Sequence, residues 1–273
     1  MRRIKAFLFN KGTSLAYAVI TVIFMFVPDD LFMKGFIGCN WSDATVLLVN
    51  RLIVSVAVFV MASVLNQCYR RFRKSVTLDD KTYVIKVEYA DLFAKEDGKK
   101  VVNFDECFST NVGDRPEDIR PSSVCGQYLA KYPIDDMQGL IESAGLKAKG
   151  VSQFNKMPRY EPGTIIPRGN YLLMAFAKLD SDGLGVFSYD RYLECLNRLW
   201  SELDRYHGTD DVYLPILGSR IVRFDKDLTQ QELLDVMISS YRLSPKKLKK
   251  PCVLHIVCRE REDFSLNDIF GVD

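Results

Sequence analysis

Three short stretches hold the residues best suited to chemistry, and each closes a strand-like apolar run. Ala90-Asp91-Leu92 follows Tyr83–Tyr89 (YVIKVEY), and Asn103–Phe108 (NFDECF) closes Lys100–Phe104. Leu217-Gly218-Ser219-Arg220-Ile221 closes Val212–Leu217 (VYLPIL). Asp91 offers a carboxylate acceptor, and Asp105 and Glu106 are candidate general bases toward water. Gly218 and Ser219 let backbone N–H groups approach a phosphate closely. Ser122-Ser123 is a tandem N-cap signal, which opens a helix whose unpaired N–H groups favour an anion. A plainer account stands beside each: the Gly-Ser pair as a simple turn, Asp105 and Glu106 as a solvated turn, Arg220 and Arg223 paired with Asp225 or Asp227.

Other chemistry has little material. Only His207 and His255 are present, and His255 alternates within VLHIVC as a core or sheet-face residue, so a histidine triad or metal cage is not expected. The seven cysteines (39, 68, 107, 125, 195, 252 and 258) show no C-x-x-C spacing. Neither a disulfide framework nor a metal site is expected. The formal net charge is +2, with no extended basic stripe beyond a juxtamembrane cluster, which argues against a nucleic-acid partner.

Alternating strand-like and helix-like stretches must position the three loops. Tyr171–Lys178 (YLLMAFAK) is a continuous apolar run of the kind found in a central strand covered on both faces. Ser122–Lys131 and Thr229–Tyr241 read as capped helices, and Ser188–Tyr206 as an amphipathic helix with Tyr192, Leu196, Leu199 and Leu203 on one face. Cys252–Cys258 is a last strand. This order predicts an α/β layer sandwich with a largely parallel sheet over residues 75–273, where ligands collect at strand ends.

Residues 1–74 read differently. Thr45–Leu65 is an apolar run of 21 residues, about 31 Å as a helix and so the thickness of a bilayer core. Ser14–Val27 is shorter and spans only if Ala6–Phe9 joins it. The expectation is a two-helix transmembrane hairpin, with spans at about 6–28 and 44–66. Arg2, Arg3, Lys5 and Lys11 precede it, and Arg70, Arg71, Arg73 and Lys74 follow it. The positive-inside bias then places both termini in the cytoplasm and Cys39 outside. No cleavage site of the signal-peptide kind follows the first run. Asn50, Arg51, Ser55, Ala62 and Asn66 form a polar stripe. It marks either a snorkelling and packing face or the seam of a homo-oligomer.

A strand ending in Asp91-Leu92, one ending in Val101-Val102-Asn103, and Pro215-Ile216-Leu217-Gly218-Ser219 together resemble the macro domain, a three-layer sandwich with a mixed, largely parallel sheet. The Glu161-Pro162-Gly163-Thr164 loop before an apolar strand, Trp200 in an aromatic helix, Leu214–Ser219 with Arg223, and the two N-terminal spans resemble one divergent branch. That branch is the two-transmembrane macro-domain effectors of type II Thoeris antiphage defence.

The resemblance implies an ADP-ribose derivative as ligand, histidine-ADP-ribose in that family, and no resident cofactor. It implies Asp91 at the adenine amino group, Leu92 against the ring, Asn103 by the distal ribose and 217–221 as a phosphate loop. Phe104, Asp105, Glu106, Ser122 and Ser123 would complete the site. It also implies a TIR-domain enzyme that consumes NAD as functional partner, a multi-pass protein of the bacterial inner membrane, and oligomerisation that disrupts the bilayer. Where catalytic macro domains carry a second asparagine and several glycines, this chain has Phe104-Asp105-Glu106-Cys107 and only Gly113. Signal binding without catalysis is therefore expected. The alternatives are a tethered ADP-ribosyl hydrolase using Asp105 or Glu106, and a tethered adaptor with no nucleotide ligand.

Overall fold

The computed structural model describes residues 11–33 (backbone alone over 11–16), 42–115, 117–219, 223–225, 228–260 and 264–269, and the chain divides into two units between Arg73 and Lys74. The first unit is helical: α1 (Lys11–Phe26), α2 (Asp29–Met33) and α3 (Asp43–Arg71). Among the described residues α3 alone is long and apolar enough to cross a membrane. The 16 residues of α1 make about 24 Å of helix, short of a bilayer core. Of the first expected span, 6–28, the described part is helical over Lys11–Phe26. Residues 6–10 lie outside the described residues, as does Cys39.

Both α1 and α2 pack on α3, and the polar stripe is engaged within the unit. Arg51 pairs with Asp29, and its guanidinium lies over the rings of Phe24 and Phe32. Asn50 is fully buried and its Nδ2 donates to the Phe32 carbonyl at 2.6 Å. Ser55 Oγ donates to the Arg51 carbonyl one turn back. The charge is therefore met by a carboxylate and two aromatic faces of the same chain, which is how a cation near an apolar helix is made tolerable.

In the second unit the strands are β1 (Ser75–Asp79), β2 (Val84–Tyr89), β3 (Lys99–Asp105), β4 (Gly150–Val151), β5 (Pro158–Arg159), β6 (Ile165–Arg168), β7 (Tyr171–Leu179), β8 (Gly185–Phe187), β9 (Val212–Pro215), β10 (Arg223–Phe224) and β11 (Val253–Cys258). Nine form one sheet in the order β1-β2-β11-β9-β3-β7-β8-β10, with β6 on β7, while β4 and β5 pair separately. The centre, β2-β11-β9-β3-β7, is parallel throughout. Antiparallel pairs occur only toward the rims, at β1/β2, β6/β7 and β7/β8. Leu172 through Phe176 are each at most 1% exposed, because helices cover β7 on both sides and leave no polar face for alternation to mark.

Four helices supply those layers: α4 (Val124–Lys131), α5 (Met137–Ser143), α6 (Tyr189–Tyr206) and α7 (Gln230–Leu243). One face of the sheet forms a core with α6 and α7, the other with α4 and α5. On α6, Tyr192, Cys195, Leu196, Leu199, Trp200 and Leu203 are wholly buried. Each large apolar side chain contributes about 1.5–3 kcal/mol by leaving water. Trp200 keeps its indole N–H satisfied on Ser240 Oγ at 3.1 Å. Ser188 and Thr229 cap α6 and α7, and Thr229 forms a capping box with Glu232. The lead-in to β6 lies close against α6 because Gly163 has φ +89° and a Cβ there would meet the Cys195 carbonyl at 2.5 Å. The Glu161–Thr164 loop is in this sense a packing device.

Candidate functional site: a cleft at the parallel strand ends

Since β2, β11, β9 and β3 run the same way, their C-terminal ends open together on one edge of the sheet. A cleft lies there, lined by Asp91, Leu92 and Phe93 after β2, Asn103 on β3, Ser122 to Val124 and Gln127 at α4, Gly218 and Ser219 after β9, Gln230 at α7, and Arg259 after β11. Two helix N-termini border it, and their unpaired N–H groups favour an anionic ligand.

Each wall has a local cause. Asp91 caps the short 3-10 turn Leu92–Ala94 by accepting from Phe93 N at 3.1 Å, and Leu92 is 4% exposed beneath it. Ser123 caps α4, its Oγ accepting from Gly126 N at 3.0 Å. Gln127 Nε2 ties the Ser122 carbonyl at 2.9 Å, holding that turn at the cleft. After β9 the backbone swings out at Gly218, φ +83°. A Cβ there would lie 2.7 Å from the Phe224 ring, so the turn needs glycine on both counts.

Of the expected site residues, Asp91, Leu92, Asn103, Ser122, Ser123, Gly218 and Ser219 therefore converge on one cleft. Leu217 is instead buried beneath it, where its carbonyl accepts from Tyr192 Oη at 3.2 Å. Arg220 and Ile221 lie outside the described residues.

Phe104, Asp105 and Glu106 do not reach the cleft, which corrects the expectation for them. Phe104 is 3% exposed and packs on Phe108 and Tyr128. Register with β7 slips between Phe104 and Asp105, and Asp105 closes its own turn, accepting from Cys107 N at 2.8 Å and Ser109 N at 3.1 Å. Glu106 is 1% exposed, accepting from Leu179 N at 3.2 Å with Arg159 at 3.8 Å. Burial raises the pKa of both carboxyls, against hydrogen bonds that lower it. They serve the backbone around them and present no base to the cleft.

Three polar lining residues, Gln127, Gln230 and Arg259, are additions to the sequence-based set. Arg259 alone had a visible signal: a basic residue directly after the last apolar strand. Cys258 also lines the cleft, and burial, then the nearby Glu88 charge, pushes its thiol up to about 12. It is therefore a neutral wall at physiological pH. His255, on the strand leading there, lies on the sheet face as expected. It stacks on Tyr213, with Glu88 at 2.9 Å from Nδ1 and Asp211 at 3.3 Å from Nε2.

A three-layer sandwich with a parallel centre, a glycine turn after one inner strand and a cleft between two helix N-termini is the macro-domain class. The family model "Thoeris protein ThsA, Macro domain" matches residues 85–259, and the chain belongs to that family. Thoeris protein ThsA of Bacillus amyloliquefaciens (strain Y2) is a relative, 26% identical over 207 residues that cover 72% of this chain and 69% of that protein.

Proposed function

We propose that the chain is a Thoeris antiphage effector whose strand-end cleft binds an ADP-ribose derivative, histidine-ADP-ribose in the sharpest form, made by a TIR-domain partner enzyme. The observation that carries this is the convergence of Asp91, Ser123, Gly218, Ser219 and Arg259 on one cleft within the family-matched residues. Asp91 accepts from the adenine amino group, the Gly218–Ser219 turn and the two helix starts hold the diphosphate, and Asn103 faces the distal ribose. Binding without hydrolysis is favoured because both carboxylates eligible as bases, Asp105 and Glu106, are spent on backbone amides elsewhere.

The first unit is the membrane part: α3 crosses, and the span expected at about 6–28, which includes α1, completes a hairpin with cytoplasmic ends. Its polar stripe is a seam within the hairpin, since Arg51 already has Asp29. A signal drives oligomerisation and membrane disruption only if it binds the assembled state more tightly than the resting one.

Calorimetry of the full chain in detergent with ADP-ribose and its histidine conjugate, with a turnover assay on the same sample, tests this. Saturable binding without turnover is the expected result. Turnover would replace the proposal with a hydrolase, and absence of binding with an adaptor.

A further inference from the structure

On the far side of the Gly218 turn lies a second recess, lined by Pro162, Lys178, Val186, Phe187, Ser188, Arg191, Arg223, Phe224 and Asp225. Three separate elements bring cations to it. Lys178 comes from the end of β7, Arg191 from the first turn of α6, and Arg223 from β10. The parallel pairing of β10 with β8 sets Arg223 beside Val186 and Phe224 beside Phe187. Among the described residues none of the three cations has a carboxylate within salt-bridge distance. The one acid in the lining, Asp225, accepts from Tyr189 N at 3.1 Å and so caps α6.

Three like charges gathered in one recess repel one another, and the positive end of α6 adds to the same field. The back wall is aromatic and rigid: Phe187 and Phe224 lie 6.2 Å apart by centroid, and both pack on Tyr192. Such a wall offers an entering anion cations and shape, and among the described lining residues Asp225 is the one carboxylate, with Oδ1 engaged by Tyr189 N. We infer that this recess is a second anion site, which takes a phosphate or carboxylate group on Lys178, Arg191 and Arg223.

Two sources fit the chemistry: a separate small anion, or an acidic end of the ligand held in the cleft, the latter resting on the function proposed above. The two sites share a wall, since the Phe224 ring occupies the space that a side chain at Gly218 would need.

The test is equilibrium dialysis of the full chain in detergent with radiolabelled inorganic phosphate at fixed ionic strength, alone and with saturating ADP-ribose or its histidine conjugate. The wild type is expected to hold one more phosphate than the Lys178→Gln, Arg191→Gln, Arg223→Gln triple variant, and Arg259→Gln is expected to leave the recess phosphate in place. The charge-conserving set Lys178→Arg, Arg191→Lys, Arg223→Lys should restore the wild-type count, which separates lost charge from lost fold. Displacement by the histidine conjugate and not by ADP-ribose identifies the carboxylate end of the bound ligand as occupant, and persistence with both identifies a separate anion. Equal phosphate counts in the wild type and the folded triple glutamine variant would overturn the assignment. That result would leave the cleft untouched, because the cleft is judged by ADP-ribose binding alone.

Discussion

The turns after β3 and β9 begin alike: each follows an inner parallel strand, and each offers polar residues to the same edge of the sheet. They end in opposite states. The β3 turn spends Asp105 and Glu106 on Cys107, Ser109 and Leu179 amides and closes over itself. The β9 turn has a glycine at φ +83° in place of an acid; its Leu217 amide goes inward to Met237 Sδ, while Gly218 and Ser219 line the cleft. The difference teaches that an acidic side chain at a strand end satisfies the nearest backbone N–H groups first. A binding loop without a carboxylate places no charged acceptor beside its own amides.

The largest effect that separates the two turns should come from Asp105→Ala. It strands two turn amides at about 1–3 kcal/mol each, so thermal denaturation of the full chain should show a loss of about 3 kcal/mol. Asp105→Asn, which keeps an acceptor, should lose much less. ADP-ribose affinity measured below the melting range should be unchanged in both, and a parallel loss of affinity would break the comparison.

At the open turn's neighbours the pattern should invert. Asp91→Asn keeps the cap on Phe93 N yet offers a donor where adenine needs an acceptor, and Arg259→Gln removes a cation from the cleft. Each should weaken ADP-ribose by about 1–3 kcal/mol, roughly ten- to a hundredfold by calorimetry, with the melting temperature held. Affinities equal to wild type in both would remove the cleft as the nucleotide site.

The carboxyls of the closed β3 turn should also respond to acid in the opposite sense to Glu88 on β2. At Glu88 burial raises the pKa, but Lys95, His255 and Lys86 outweigh it and bring the carboxyl to about 2. A folded-state pKa below the unfolded value of about 4.3 means stability that is present above that pH and lost as pH falls toward 2. For Asp105 and Glu106 the folded pKa is raised, so stability is gained as pH falls through it toward the unfolded value. Melting curves from pH 7 to 3 should therefore show a shallower acid loss in Glu88→Gln and a steeper one in Glu106→Gln.

The smallest effect belongs to Ser219→Ala. If the backbone of the open turn does the holding, losing one hydroxyl costs about 0.5–1.5 kcal/mol of ADP-ribose affinity at most. A larger loss would show that the side chain, and not the freed backbone, is the point of difference.

Much of this was legible in the residues, and the remainder had physical reasons to hide. Strands β2, β3, β7, β9 and β11 and helices α4, α6 and α7 announce themselves by period or by unbroken apolarity, because each buries one or two whole faces. The rim strands β6, β8 and β10 have 4, 3 and 2 residues, too few to show a period, and neighbours rather than composition fix them. The strand-end loops were found by position, yet which of them opens depends on where Asp105 and Glu106 send their oxygens. Arg259 follows its strand directly, but it opens the mixed charged run Arg259–Asp263, in which nothing in the pattern singles out the one residue that lines the cleft. The sequence leaves Arg51 open between a snorkelling residue and a seam residue, since only the return of the chain through α2 places Asp29 beside it.

The position of β11 in the sheet has a consequence for the order in which the site comes into being. This last strand of the chain lies between β2 and β9, so Asp91 and Gly218 reach their final spacing only after residues 253–258 have been threaded between strands made long before. A ribosome that has not yet released Arg259 carries a chain with no complete cleft. By the function proposed above, a chain at that stage is deaf to its signal however much of it is present.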